Sequence, residues 1–171
     1  MNRLIIAVLL SATLFSSCSG YDGKTFESVQ AMVEDARGEA VWITAEELAT
    51  IVGSVSERGY GSGFYLIDVR EQSEFDISCI MGATSIPRGV LENEISERAP
   101  GKRKPIYVYC SNGDRSALVA AILPLLKYSD VKVLEGGFDN WQSTHPELVE
   151  TAPVRGTVKA TVKKPAAGCG G

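Results

Sequence analysis

Apolar residues fall into short blocks separated by glycine and polar runs, and the blocks alternate between two kinds. Phe64-Tyr65-Leu66-Ile67-Asp68-Val69 and Ile106-Tyr107-Val108-Tyr109 are nearly continuous apolar runs, the pattern of strands covered on both faces. Val131-Lys132-Val133-Leu134 reads as a further strand, and Ala83-Thr84-Ser85-Ile86 as a short extended piece running into Pro87. Between them the spacing predicts helices over Ala45 to Val55, Leu91 to Glu97 and Ser116 to Tyr128, with a last short helix around Trp141. Thr44 followed by Glu47 forms a capping box at the start of the first, where hydroxyl and carboxylate satisfy unpaired amides. Pro124 brings no amide to the carbonyl of Ala120 and predicts a kink in the third. Gly59, Gly61 and Gly63 interrupt the chain before the first long strand, and Gly136-Gly137 turns it into the last helix.

Strands alternating with helices at this spacing imply an α/β fold, with a mainly parallel central sheet flanked by helices on both faces. Sheets of this kind place their sites beyond the carboxyl ends of their strands. Ordered structure is expected over residues 41–148. Residues 18–40 read as a tether with a short helical pattern through Phe26, Val29, Met32 and Val33. Residues 149–171 read as a flexible tail rich in Lys, Pro, Ala and Gly.

The N-terminus changes the expected location. Arg3 precedes the apolar run Leu4-Ile5-Ile6-Ala7-Val8-Leu9-Leu10, and small polar residues then reach Cys18, which together read as a signal peptide over residues 1–17. The apolar stretch falls short of the about 20 residues that a spanning helix takes. Phe15-Ser16-Ser17-Cys18 resembles a bacterial lipobox, which implies lipidation at Cys18, although Phe15 and Ser17 depart from its commonest form. Ser17-Cys18-Ser19 would equally suit an ordinary signal peptidase that releases a soluble product. Either outcome makes the protein exported, to the periplasm or cell envelope, with a membrane contact only through an N-terminal lipid. The chain of 171 residues is 44% hydrophobic and carries a net charge of -4. It has no basic stripe of the kind that neutralises phosphates, so nucleic acid is not expected as a partner.

The four cysteines are Cys18, Cys79, Cys110 and Cys169. They are too scattered for a disulfide framework, and with His145 as the one histidine no zinc site and no Cys-His-Asn catalysis is expected. Cys79 lies among Ile77, Ile80 and Met81 and reads as a small core residue, with a second redox thiol as the alternative. Cys169 sits at the end of the glycine-bearing tail; about 20 flexible residues reach roughly 25 Å, which makes it a candidate accessory thiol.

Cys110 is different, because Cys110-Ser111-Asn112-Gly113-Asp114-Arg115-Ser116 links a buried strand directly to a helix. Such a loop can aim several amides at one point, and the helix start adds partial positive charge, which favours a thiolate. Arg115 supplies a permanent cation for an anionic sulfur donor, and Gly113 permits a tight backbone path. The segment resembles the C-x-x-G-x-R-S active-site loop of single-domain rhodaneses. Leu66-Ile67-Asp68-Val69-Arg70-Glu71 with Glu74-Phe75 is similar to the first signature of that family, and Gly82-Ala83-Thr84-Ser85-Ile86-Pro87 to its second. Leu134-Glu135-Gly136-Gly137-Phe138 with Trp141 is similar to its closing motif.

The resemblance implies a thiosulfate sulfurtransferase without cofactor or metal. Cys110 would take the outer sulfur of a small anion such as thiosulfate as a persulfide and pass it to cyanide or a thiol. The amides of residues 111 to 116 would hold that sulfur and Arg115 would face the leaving sulfite, while Asp68 and Arg70 would form the scaffold near the site. Where the family has Gly-His-Ile-x-Gly-Ala, this chain has Ser78-Cys79-Ile80-Met81-Gly82-Ala83. Two other readings are carried alongside: a noncatalytic or persulfide-carrier module that binds a protein partner, and a cysteine phosphatase or arsenate reductase. The second needs five residues between cysteine and arginine, whereas four separate Cys110 from Arg115.

Overall fold

The computed structural model describes residues 24–56 and 63–151, with the side chains of Val55 and Ser56 excepted. The stretch read as an export signal, Cys18 and Cys169 lie outside the described residues. The chain runs through α1 (Val29–Glu39), β1 (Trp42–Ile43), α2 (Ala45–Ser56), β2 (Tyr65–Asp68), α3 (Gln72–Phe75), β3 (Ser78–Ile80) and β4 (Thr84–Ser85). It continues through α4 (Leu91–Arg98), β5 (Ile106–Tyr109), α5 (Asp114–Ile122), β6 (Val131–Leu134), α6 (Gly137–Thr144) and β7 (Val149–Thr151).

Five strands form one sheet in the order β1-β6-β5-β2-β4, and every pairing in it is parallel. β2 and β5 lie at its centre in the register Tyr65↔Ile106 to Asp68↔Tyr109, so both strands end at the same edge. Burial on both sides follows from their continuous apolar runs: Ile67, Val69, Ile106 and Val108 pack with Leu91, Ile95, Val119 and Leu123 on one face. Leu66, Tyr107 and Tyr109 pack with Leu48, Phe138 and Trp141 on the other. The α/β architecture with helices on both faces is therefore the one that strand and helix spacing implied.

Local signals govern the element ends. At α2 the Thr44 hydroxyl accepts from the Glu47 amide at 3.2 Å and Glu47 accepts from the Thr44 amide at 3.1 Å, completing the capping box. Around Pro124 the chain departs from the expected kinked helix: α5 starts at Asp114 and stops at Ile122, and residues 123–126 tighten into a 3₁₀ turn. A proline within the first residues of such a turn gives up an amide that has no partner there, so the α-helix ends before the proline and does not bend around it.

Two boundaries shift. The stretch read as a tether holds α1, capped by the Ser28 hydroxyl, which accepts from the Ala31 amide, and packed along α5. Residues 149–151, read as the start of the tail, are a strand: Val149–Thr151 pair antiparallel with Ser78–Ile80 as a separate two-stranded sheet. Cys79, in β3, is buried, as its apolar neighbours suggested.

Candidate active site

Cys110 is the residue that follows β5 at the carboxyl edge of the sheet, and it is fully buried. The Gly113 amide donates to its sulfur at 3.2 Å. Ser116 Oγ lies 3.5 Å from the same sulfur while its hydroxyl donates to the Gly113 carbonyl at 2.9 Å. That leaves the Ser116 oxygen able to accept a hydrogen bond from the thiol. Asn112 Oδ1 is 3.8 Å from the sulfur. The path is closed enough that Gly113 adopts φ +102°, a value that favours glycine, and a Cβ there would come within 3.2 Å of both Arg37 Nη1 and the Trp42 ring.

The rest of the loop is held from three directions. From α3, Glu74 receives two parallel bonds from the Arg115 guanidinium at 2.8 and 3.0 Å, and the Ser111 hydroxyl donates to the same carboxylate at 3.0 Å. The hydrogen bonds from Arg115 hold the Glu74 carboxyl down to about 2, helped by the Glu71 backbone and Ser111 against partial burial. Arg115 thus enters the site already paired, with Ser111 Oγ also accepting from it at 3.0 Å.

From α6, the amides of Phe138 and Asp139 donate to the carbonyls of Cys110 and Ser111 at 2.8 and 3.0 Å. Gly136 and Gly137 make that approach feasible. Both have positive φ, and a Cβ on Gly137 would overlap the carbonyl oxygens of Ser111 and Cys110. From α1, Arg37 Nη1 donates to Asp114 Oδ1 at 2.9 Å and to the Asn112 carbonyl at 3.4 Å, while its guanidinium lies 4.8 Å from the centre of the Trp42 ring.

Asp68 and Arg70 form a buried ion pair at the end of β2. Arg70 Nε lies 3.1 Å from both Asp68 oxygens, and Nη2 donates to Asp68 Oδ2 and to the Ser78 carbonyl, each at 2.7 Å. The guanidinium also covers the Phe138 ring at 4.1 Å. The pair therefore ties together β2, β3 and α6.

The structure gathers Cys110 and Ser111 to Ser116 into one site, and adds residues not assigned to it from sequence: Glu74, Arg37, Trp42, Gly137 and Phe138. Glu74 had a visible signal, since it follows Arg70 within a recognisable motif and its carboxylate also accepts from the Glu71 amide at 2.9 Å. Arg37 had none, because its partner Asp114 lies 77 residues away.

Among known proteins, the model of the rhodanese-like domain family matches residues 44–144. The uncharacterized protein YqhL of Bacillus subtilis is 35% identical over 94 residues, which span 53% of this chain and 73% of YqhL. The thiosulfate sulfurtransferase GlpE of Coxiella burnetii is 37% identical over 81 residues, 47% of this chain and 74% of GlpE. Among solved structures, a protein of unknown function from Rhodopseudomonas palustris, described as a possible tyrosine phosphatase, superposes with a TM-score of 0.56 at 26% identity. That superposition covers 72% of this chain and 96% of the other.

Proposed function

Since the chain belongs to the rhodanese-like domain family, we propose that it is a sulfurtransferase that moves a sulfane sulfur through a persulfide on Cys110. The observation that carries this reading is the Cys110 sulfur at the end of a central strand, with the Gly113 amide 3.2 Å away and the Ser116 oxygen 3.5 Å away. The thiol hydrogen-bonds Ser116 Oγ, and once its proton has passed to solvent the thiolate keeps the Gly113 amide as a fixed donor. Its attack on the outer sulfur of thiosulfate forms the Cys110 S–S bond, breaks the S–S bond of the donor and releases sulfite. Cyanide or a thiol then attacks the outer persulfide sulfur, and the bonding pair returns to Cys110, which closes a ping-pong cycle.

The loop supports sulfur transfer over oxyanion chemistry. Four residues separate Cys110 from Arg115, and the Arg115 fork is engaged by Glu74, so it is not presented as an open oxyanion fork. We further propose that the protein works outside the cytoplasm, on the strength of Arg3, the apolar run from Leu4 and the small residues around Cys18.

Mass spectrometry of the intact protein after thiosulfate treatment tests the chemistry. A gain of one sulfur on Cys110 that cyanide removes is expected in the native chain and is expected to vanish in Cys110→Ser. A folded native protein that gains no sulfur would sink the reading.

A further inference from the structure

Arg37 stands on α1, which precedes residues 44–144 matched by the family model, yet it reaches the loop that holds the reactive sulfur. The peptide unit joining Asn112 to Gly113 is bonded at both ends: its carbonyl accepts from Arg37 Nη1 at 3.4 Å and its amide donates to Cys110 Sγ at 3.2 Å. A cation at the oxygen end aligns and polarises that peptide in the sense that strengthens its N–H toward the sulfur. The same Nη1 bonds Asp114 Oδ1 at 2.9 Å, and the other Asp114 oxygen accepts from Asn112 Nδ2 at 2.8 Å. Stacking on Trp42, whose Nε1 donates back to the Arg37 carbonyl at 3.1 Å, fixes the guanidinium in this place.

We infer that Arg37 is a positioning residue for sulfur transfer, acting through the Asn112–Gly113 peptide to hold an N–H on the Cys110 sulfur. This rests on the proposed sulfur-transfer reading. It also makes α1 part of the working unit.

The test compares Arg37→Met, which keeps the stem against Trp42, with Arg37→Lys and with Lys24→Met. Lys24 pairs with Asp35 and Glu39 of α1, so its variant reports general loosening of that helix. The measurement is the single-turnover rate of persulfide formation on Cys110 at saturating thiosulfate, beside the rate at which iodoacetamide alkylates Cys110. Arg37→Met is expected to slow persulfide formation about tenfold, within the range that small misplacements near a reacting group produce, and to slow alkylation as well. Because one nitrogen makes both contacts, Arg37→Lys is expected to recover most of the rate, and Lys24→Met to match the native protein. Native rates in Arg37→Met, faster rates in it, or equal slowing in Lys24→Met would each overturn the assignment. If the native chain takes up no sulfur, the sulfur-transfer reading fails separately. Alkylation then decides alone whether Arg37 governs the sulfur, and an Arg37→Met rate equal to native overturns the assignment.

Discussion

Glu74 and Arg115 meet across 41 residues of sequence, and their pairing sets how the loop responds to acid. In the folded chain the Glu74 carboxyl is held near about 2, against an ordinary value of 4.5 when unfolded. Between those values the unfolded chain binds the extra proton, so the pair's contribution is complete above about pH 4.5 and is lost as pH falls toward about 2. Both side chains are about one-third exposed, so solvent screening limits the contribution to about 1 kcal/mol. Urea titrations of the native chain and of Glu74→Gln over the acid range check this. The two stability curves should differ near neutrality and converge as the pH approaches 2. A gap that stays constant would mean the carboxylate is not held by Arg115.

Where a glycine stands decides what an element tolerates. Gly137 begins α6 at φ +61°, and a Cβ there would overlap the backbone oxygens of Ser111 and Cys110. Backbone cannot yield as a side-chain tip can. Gly137→Ala should therefore cost about 3 kcal/mol or more through strain and displacement of the loop, and persulfide formation should fail with it. Gly38, inside α1, has nothing within 4 Å of its would-be Cβ. Gly38→Ala should stabilise the protein by about 0.5–1 kcal/mol by favouring the helix. Chemical denaturation of the pair checks both, and equal effects would contradict the packing around Gly137.

The elements legible in the sequence were those whose causes are local. The capping box at Thr44 and Glu47, the apolar run Ile106 to Tyr109 and the turn at Gly136-Gly137 each lie within a few consecutive residues. The contiguous loop from Cys110 to Ser116 was legible for the same reason. The pairing of Ser78–Ile80 with Val149–Thr151 was not, because neither segment alternates long enough to announce a strand and each acquires its role only from the other. Docking of α1 was hidden likewise: Ala36 is its one fully buried residue, and so short an apolar pattern reads as a tether until Asp114 and Trp42 are brought beside Arg37.

At the scale of the whole molecule, burial of a thiol and several phenols makes the fold sensitive to alkali. Desolvation pushes the Cys79 thiol up to about 12, reinforced by the charges of Glu150 and Asp68, from an ordinary value of 9.0. Burial likewise raises Tyr107, Tyr109 and Tyr128 above 10.0. In each case the native state favours the protonated, neutral form, and the unfolded chain releases its proton first. Above about pH 9 the unfolded state therefore holds fewer protons than the folded one, and stability falls as pH rises toward 12. Each such group adds up to about 1.4 kcal/mol per pH unit to that slope. Cys79→Ala isolates one of them. Near neutrality it should cost about 1 kcal/mol for the lost packing, yet its stability should fall less steeply than that of the native chain once the thiol of the unfolded protein begins to ionise. Guanidinium unfolding at several pH values between neutrality and about pH 11 makes the comparison. Convergence of the two curves with rising pH would confirm that the thiol is closed off from water, and strictly parallel curves would refute its burial.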